Sequence, residues 1–195
     1  MNNKKSLALI LLAFTLLLGG ASMLYRKLSA SQNPKPLLLS GTQSPAPEAS
    51  MEETTAARVV APDFTVYDTD GNEVHLSDYI GKPIVLNFWA SWCGPCQMEM
   101  PDFHEAYLTL GDEIAFLMIN ITTGRETLEN ASAFIKKNGY TFPVFYDTTS
   151  HAAMTYGAYS LPTTYFIDAQ GYAVAQAIGA LDAETLQYGI DQIRP

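Results

Sequence analysis

The hydrophobic and polar positions divide the chain into three stretches of different character. Residues 6–24 are uncharged and mostly apolar, whereas residues 28–60 are largely small or polar and include several prolines. From residue 61 to residue 195, short apolar runs alternate with segments of helical periodicity. This third pattern is typical of a globular domain in which strands alternate with helices.

The sequence pattern at the start of this domain predicts a β-hairpin followed by a central strand. Apolar residues alternate with polar ones on both sides of the Asp70-Gly71 turn, at Phe64, Val66, Val74 and Leu76. Such alternation around a glycine turn is the pattern of two antiparallel strands. Residues 83–90 are almost continuously apolar but too few for a typical helix, which indicates a strand buried on both faces.

Helices and strands alternate through the rest of the domain. After Cys96, apolar residues recur at helical spacing before a glycine that is suited to end a helix: Met100, Phe103, Tyr107, Leu110 and Gly111. The same reasoning predicts strands at 114–121, 142–146, 163–167 and 172–178, and helices at 127–138, 150–156 and 182–193. Together these elements predict an α/β fold with a mixed central sheet flanked by helices and with the β-hairpin at its N-terminal end.

The N-terminal stretch has the pattern of a membrane anchor. Two lysines precede the uncharged residues 6–24, and Arg26 and Lys27 follow them. As a helix rising about 1.5 Å per residue, a stretch of this length spans roughly 28 Å, which is close to the thickness of the hydrocarbon core of a bilayer. We therefore expect residues 1–27 to be an uncleaved signal anchor that crosses the cell membrane once.

Cleavage is the alternative for this segment, because Gly19 and Ala21 could form the small-residue site of a secretory signal peptide. The lysines at the start favour a cytoplasmic N-terminus, which would put the domain outside the cytoplasm. Cleavage would instead release the domain as a secreted protein. The prolines among small and polar residues at 28–60 predict a flexible linker that leads to a domain at 61–195.

The charge of the predicted domain excludes one class of function. Residues 61–195 hold five basic residues against seventeen acidic ones. A protein that binds nucleic acid neutralises phosphates with a face rich in lysine and arginine. This domain has no such excess of positive charge, so we expect it not to bind nucleic acid.

The cysteine count excludes most metal sites. Cys93 and Cys96 are the only cysteines, whereas a structural zinc site normally needs four ligands. The three histidines do not stand at the spacing of a zinc finger, and Gln97 follows Cys96 where a haem-attachment motif requires histidine. We therefore expect neither a metal nor another cofactor.

The two cysteines form a C-x-x-C motif, which lies between the predicted buried strand and the start of a helix. At the N-terminal end of a helix, unpaired N–H groups and the helix dipole stabilise a thiolate, so the pKa of Cys93 should fall below that of a free thiol. Pro95 has the backbone angle of a first helical turn, and the spacing brings Cys96 within disulfide distance. Cys93 could then attack a substrate disulfide and Cys96 could resolve the mixed disulfide.

The domain resembles the thioredoxin superfamily in two segments and one further residue. These are FWASWCGPC at 88–96, SLPTTYFID at 160–168, and Pro101. More closely, the domain resembles the extracytoplasmic, membrane-anchored thiol-disulfide oxidoreductases of the TlpA/ResA type over about residues 60–195. The resemblance implies a thioredoxin-like fold with a central insertion at about 124–140. It also implies thiol reduction in cytochrome c biogenesis or related processes.

The resemblance also assigns roles to residues around the two cysteines. In that family the proline that matches Pro162 follows a cis peptide bond and helps to dock the backbone of the substrate. We therefore expect a cis bond before Pro162. We also expect substrate contacts from five residues, namely Trp92, Gly94, Pro95, Leu161 and Pro162.

Glu99 is a further candidate for the chemistry. It lies three residues after Cys96 on the predicted helix and should share its face. A partly buried carboxyl at that place could have a raised pKa and exchange a proton with Cys96, although an ordinary acid favoured by the helix dipole is the alternative. Proteins of the TlpA/ResA type carry a glutamate with a redox role here, whereas plain thioredoxins have a buried aspartate where this chain has Asn87.

These observations predict an extracytoplasmic thiol-disulfide oxidoreductase that reduces disulfides in envelope or secreted proteins, with apocytochrome c as one candidate. Its partners would be protein disulfide substrates and a membrane electron donor that reduces it again. Two alternatives stay open. One is an oxidase or isomerase that donates its disulfide to folding proteins, and the other is a non-catalytic binding module with a structural disulfide.

Overall fold

The computed structural model describes residues 59–194. Its strands, in chain order, are β1 Val59–Val60, β2 Thr65–Tyr67, β3 Glu73–His75, β4 Ile84–Trp89, β5 Ala115–Asn120, β6 Val144–Tyr146, β7 Thr163–Ile167 and β8 Tyr172–Ile178. Its α-helices are α1 Gly94–Leu110, α2 Leu128–Asn138, α3 His151–Thr155 and α4 Ala183–Asp191, and a short 3₁₀ helix covers Leu76–Tyr79.

All eight strands belong to one mixed sheet, in the order β1-β8-β7-β4-β5-β6-β2-β3. The central strand β4 pairs in parallel with β5 and antiparallel with β7. The hairpin of β2 and β3 joins one edge through β6, and β1 joins the other edge by pairing with β8. The predicted mixed sheet with its N-terminal β-hairpin and flanking helices is therefore confirmed.

The central strand β4 is buried along its whole length because both faces of the sheet are covered. On one face, Val85 and Trp89 pack in a cluster with residues of α1 and α4, and both cysteines belong to that cluster. On the other face, Leu86 and Phe88 pack with residues of the hairpin and of α3. A strand buried on both faces explains the continuous apolar run at this place in the sequence.

Helix α2 lies in the predicted central insertion, between β5 and β6. It begins after Thr127, whose side-chain oxygen accepts a hydrogen bond from the amide of Asn130 at 3.1 Å. It ends at Gly139, whose φ of 71° is in the left-handed region that glycine adopts at low cost. These two capping residues confirm the helix predicted at 127–138.

Two short elements lie outside the predictions from the sequence pattern. Val59 and Val60 pair with β8, so the sheet begins within the last two positions of the predicted linker. The 3₁₀ helix is preceded by His75, whose amide donates to the carboxylate of Asp78 at 2.8 Å. Elements this short depend on partners distant in sequence or on single side chains, and neither produces a hydrophobic periodicity.

The predicted anchor at 1–27, and the predicted linker up to residue 58, lie outside the described residues. Within residues 59–194, no helix is both long enough and apolar enough to cross a membrane.

Helix α4 approaches the sheet so closely that Gly189 should be intolerant of a side chain. A Cβ atom at this position would lie 2.2 Å from the ring of buried Phe166. Alanine is favoured over glycine inside a helix by about 1 kcal/mol, but the ring of Phe166 is only 3% exposed and could move aside only by disturbing the core around it. We expect Gly189→Ala to lower the free energy of unfolding by about 1 to 3 kcal/mol, as overpacked cores do.

Urea unfolding measures this difference. The control is Gln187→Ala on the exposed side of the same helix, which should change the free energy of unfolding by no more than about 0.5 kcal/mol. A Gly189→Ala variant as stable as the wild type would contradict the close packing of α4 on the sheet.

Candidate active site

The C-x-x-C motif lies at the junction of β4 and α1, as predicted. Cys93 is the residue immediately before the helix, and its sulfur accepts a hydrogen bond from the amide of Cys96 at 3.2 Å. Pro95 lies in the first turn, where a residue without an N–H group costs the helix no hydrogen bond. The sulfur of Cys93 therefore takes the capping place at the N-terminal end of the helix.

Cys93 and Cys96 are joined in a disulfide bond, with their Cα atoms 5.2 Å apart. Cys93 is 5% exposed, whereas Cys96 is completely buried. The exposed residues Trp92, Gly94 and Pro95 surround Cys93 in the chain. A sulfur from another protein can therefore reach Cys93 more easily than Cys96.

The Leu161–Pro162 peptide bond is cis, as the resemblance predicted. Pro162 immediately precedes β7, whose first residue Thr163 pairs with Phe88 of β4. This register brings Pro162 to the edge of the sheet from which the chain continues into the C-x-x-C motif. Leu161 packs, partly buried, against the cluster that contains both cysteines.

Glu99 lies one helical turn after Cys96 and is only 1% exposed. One carboxylate oxygen accepts a hydrogen bond from the Nδ2 of Asn87 at 2.8 Å, and the other accepts from the amide of Leu181 at 3.0 Å. Loss of hydration raises the pKa of Glu99 to about 7, because the two hydrogen bonds that favour the charged form offset only part of that cost. The raised pKa predicted for this carboxyl is confirmed.

Asn87 connects this carboxyl to the sheet. Its Nδ2 also donates to the hydroxyl oxygen of Thr164 on β7 at 3.0 Å, while its Oδ1 has no hydrogen-bond partner among residues 59–194. Since an amide does not titrate, Glu99 is the ionisable member of this buried group. The group joins β4, α1, β7 and the segment before α4.

The two tryptophans near the motif lie in different surroundings. Trp92 is 45% exposed, and the guanidinium carbon of Arg125 lies 3.7 Å from the centre of its ring. Trp89 is completely buried, and its ring is 5.7 Å from that of Phe134. Trp92 is therefore available to a partner, whereas Trp89 is a residue of the core.

Glu126 is a residue of this region that the sequence analysis did not single out. It is 3% exposed, and its carboxylate accepts hydrogen bonds from both the amide and the hydroxyl of Ser91. It also accepts from the amide of Thr127 at 3.1 Å. In the sequence it is one acid in a polar loop, and no motif or periodicity marks it out.

The three histidines form hydrogen bonds with threonines. His75 and His151 both contact Thr65, and His104 contacts Thr141. Among the residues from 59 to 194, no group of three or more histidine, cysteine, aspartate or glutamate side chains could hold a metal ion.

Comparison with known proteins places these features in a family. The model of the AhpC/TSA family matches residues 58–176. The thiol-disulfide oxidoreductase ResA of Geobacillus thermodenitrificans is 36% identical over 146 residues, which are 73% of this chain and 82% of that protein.

Two solved structures share the fold. StoA from Bacillus subtilis aligns with a TM-score of 0.59 at 26% identity, over 67% of this chain and 98% of that one. The exposed lipoprotein thioredoxin Etrx1 from Streptococcus pneumoniae aligns with a TM-score of 0.58 at 33% identity, over 67% of this chain and 99% of that one. The thioredoxin-like fold is thereby confirmed.

Glu99 should make the stability of the oxidised protein depend on pH. Its pKa of about 7 in the folded state exceeds the ordinary value of 4.5, so the folded state retains a proton that the unfolded state releases. The resulting stabilisation is complete below about pH 4.5 and is lost as the pH rises through about 7. At about 1.4 kcal/mol per pKa unit, this group should lower the free energy of unfolding by about 2 to 3 kcal/mol between pH 5 and pH 8.

Urea unfolding of the wild type and of Glu99→Gln at the two pH values isolates this contribution, because glutamine does not titrate. The matched control is Glu105→Gln on the exposed side of α1, which should keep the pH dependence of the wild type. Parallel pH profiles for the wild type and Glu99→Gln would contradict a buried carboxyl with a raised pKa.

Proposed function

This chain belongs to the AhpC/TSA family and is a thiol-disulfide oxidoreductase with a thioredoxin-like fold, and from this premise we propose that it reduces disulfide bonds of proteins outside the cytoplasm. The observation that carries the proposal is the arrangement of the C-x-x-C motif. Cys93, 5% exposed at a helix N-terminus, is joined to the completely buried Cys96, and a carboxyl with a pKa near 7 follows one turn later.

The reaction begins with the reduced pair. The Cys93 thiolate, stabilised by the N-terminal end of α1, attacks one sulfur of a substrate disulfide. A mixed disulfide forms and the other substrate sulfur leaves as a thiolate. The thiolate of Cys96 then attacks the sulfur of Cys93, which releases the substrate as a dithiol and leaves the Cys93–Cys96 disulfide.

Glu99 takes part in the second step through its proton. Cys96 has to lose a proton before it can attack, and it is buried where bulk water cannot collect that proton readily. A carboxyl with a pKa near 7 exists in both protonation states at neutral pH, which is the condition for efficient general acid and base catalysis. We assign to Glu99 the exchange of this proton.

The substrate is held by the residues around Cys93. Trp92, Gly94 and Pro95 are exposed beside it, and Leu161 and Pro162 lie at the same edge of the sheet. The exposed ring of Trp92 offers apolar area to the substrate, and the Leu161–Pro162 segment offers backbone groups. Its relatives are thiol-disulfide oxidoreductases, which favours the enzyme over the alternative of a non-catalytic binding module.

We further propose a membrane-bound arrangement for the whole chain. Residues 1–27 would form a single-pass anchor, residues 28–60 a linker, and residues 61–195 the thioredoxin-like domain, with secretion as the outcome if the anchor is cleaved. The basic and apolar pattern of the N-terminus supports this proposal. A membrane electron donor would reduce the disulfide again, and apocytochrome c is the first substrate to test.

The reduction potential of the Cys93–Cys96 pair should be that of a reductant. We expect a value near or below about −220 mV, as in thioredoxin-like reductases, when the protein is equilibrated with defined thiol buffers. A value near about −120 mV would make the protein an oxidant and would favour the oxidase or isomerase alternative. The proposed direction of the reaction would then be wrong, although the assignment of the site residues would not change.

Cys96→Ala should accumulate mixed disulfides with substrates, because the attack by Cys93 still occurs and no second thiol resolves its product. The trapped species can be separated on non-reducing gels and identified by mass spectrometry. The Cys93→Ala, Cys96→Ala variant is the control and should trap nothing. An absence of trapped species from both variants would contradict Cys93 as the attacking thiol.

A further inference from the structure

The segment that follows β5 contacts the two residues before Cys93 through two adjacent side chains. Arg125 lies over the ring of Trp92, with 3.7 Å from its guanidinium carbon to the centre of the ring. Glu126, the next residue, binds Ser91 with both carboxylate oxygens. Two neighbouring residues after β5 therefore contact two neighbouring residues before Cys93.

The contacts of Ser91 fix both its backbone and its side chain. Its amide and its hydroxyl donate to Glu126, with 2.9 Å from the hydroxyl oxygen to the carboxylate. Its carbonyl oxygen accepts a hydrogen bond from the side chain of Gln97 at 2.6 Å. All of its polar groups are thus engaged, although the next residue along the chain, Trp92, is 45% exposed.

We propose that Arg125 and Glu126 are positioning residues that hold the Ser91–Trp92 segment in one conformation, so that the exposed Trp92 ring docks protein substrates beside Cys93. This inference rests on the proposed function, since it requires a protein disulfide as substrate. A side chain already fixed before binding loses little conformational freedom when the substrate arrives. Arg125 fixes the ring through its planar guanidinium, and Glu126 fixes the backbone that carries the ring.

The geometry predicts a separation between binding and chemistry. A large substrate covers Trp92, whereas a small disulfide reacts at the sulfur of Cys93 without needing that ring. Neither Arg125 nor Glu126 forms a hydrogen bond with Glu99, whose partners are Asn87 and Leu181, and neither is part of the disulfide. Loss of the two positioning contacts should therefore raise KM for a protein substrate and leave kcat unchanged.

The experiment measures reduction of insulin by the full chain, with dithiothreitol as the final reductant, and compares it with the rate of reaction with oxidised glutathione. The variants are Arg125→Ala and Glu126→Gln, and Glu129→Gln is the control, because Glu129 is an exposed acid in the first turn of α2. A salt concentration of about 0.5 M screens the change in surface charge.

We expect both variants to raise KM for insulin by about two- to tenfold, the range that follows from ordering one side chain on binding. We expect kcat and the rate with oxidised glutathione to match those of the wild type and the Glu129→Gln control. If Glu126→Gln fails to fold, Arg125→Ala decides the matter alone, since Arg125 is exposed and contacts the face of Trp92.

Two results would overturn the inference while leaving the proposed function intact. One is an unchanged KM in Arg125→Ala. The other is an equal loss of activity toward insulin and oxidised glutathione in the folded variants, which would show that the contacts maintain the cysteines rather than the docking of substrate. A wild-type protein that reduces no insulin would overturn the proposed function and the inference together.

Discussion

The burial of β4 on both faces is the constraint on which the rest of the domain depends. A strand with no exposed face has to be covered by helices on one side and by the hairpin and α3 on the other, and it has to pair along both edges. These demands place β5 and β7 beside it, and they direct the chain at its end into the loop that carries Cys93. The position of Cys93 is therefore a consequence of how the central strand is packed.

The one polar residue of β4 creates the chemical environment of the site. Asn87 is completely buried, and a buried amide requires hydrogen-bond partners. Its Nδ2 donates to Glu99 and Thr164, and the amide of Leu181 supplies a further donor to Glu99. Strands β4 and β7 and the segment before α4 thus surround the carboxyl of Glu99, which is only 1% exposed. The cost of charging it there raises its pKa.

Much of this arrangement could be predicted from local patterns. The apolar run of β4, the capping residues Thr127 and Gly139 and the strand–helix context of the C-x-x-C motif are all visible in short windows of sequence. The cis bond before Pro162 required the family resemblance, because the residues around it indicate only a turn. The contacts of Glu126 with Ser91, and the pairing of β1 with β8, join residues far apart in the chain, and no local pattern encodes them.

The pairing of β1 also fixes where the preceding chain joins the domain. Val59 and Val60 lie opposite Ala173 and Tyr172, at the first residues of β8, whereas the last residue of that strand, Ile178, pairs with Thr163 beside Pro162. A strand of this length extends about 20 Å. Val59 and the Cys93–Cys96 pair therefore lie at opposite ends of the sheet, so the chain enters the domain at Val59 on the side away from the residues that surround Cys93.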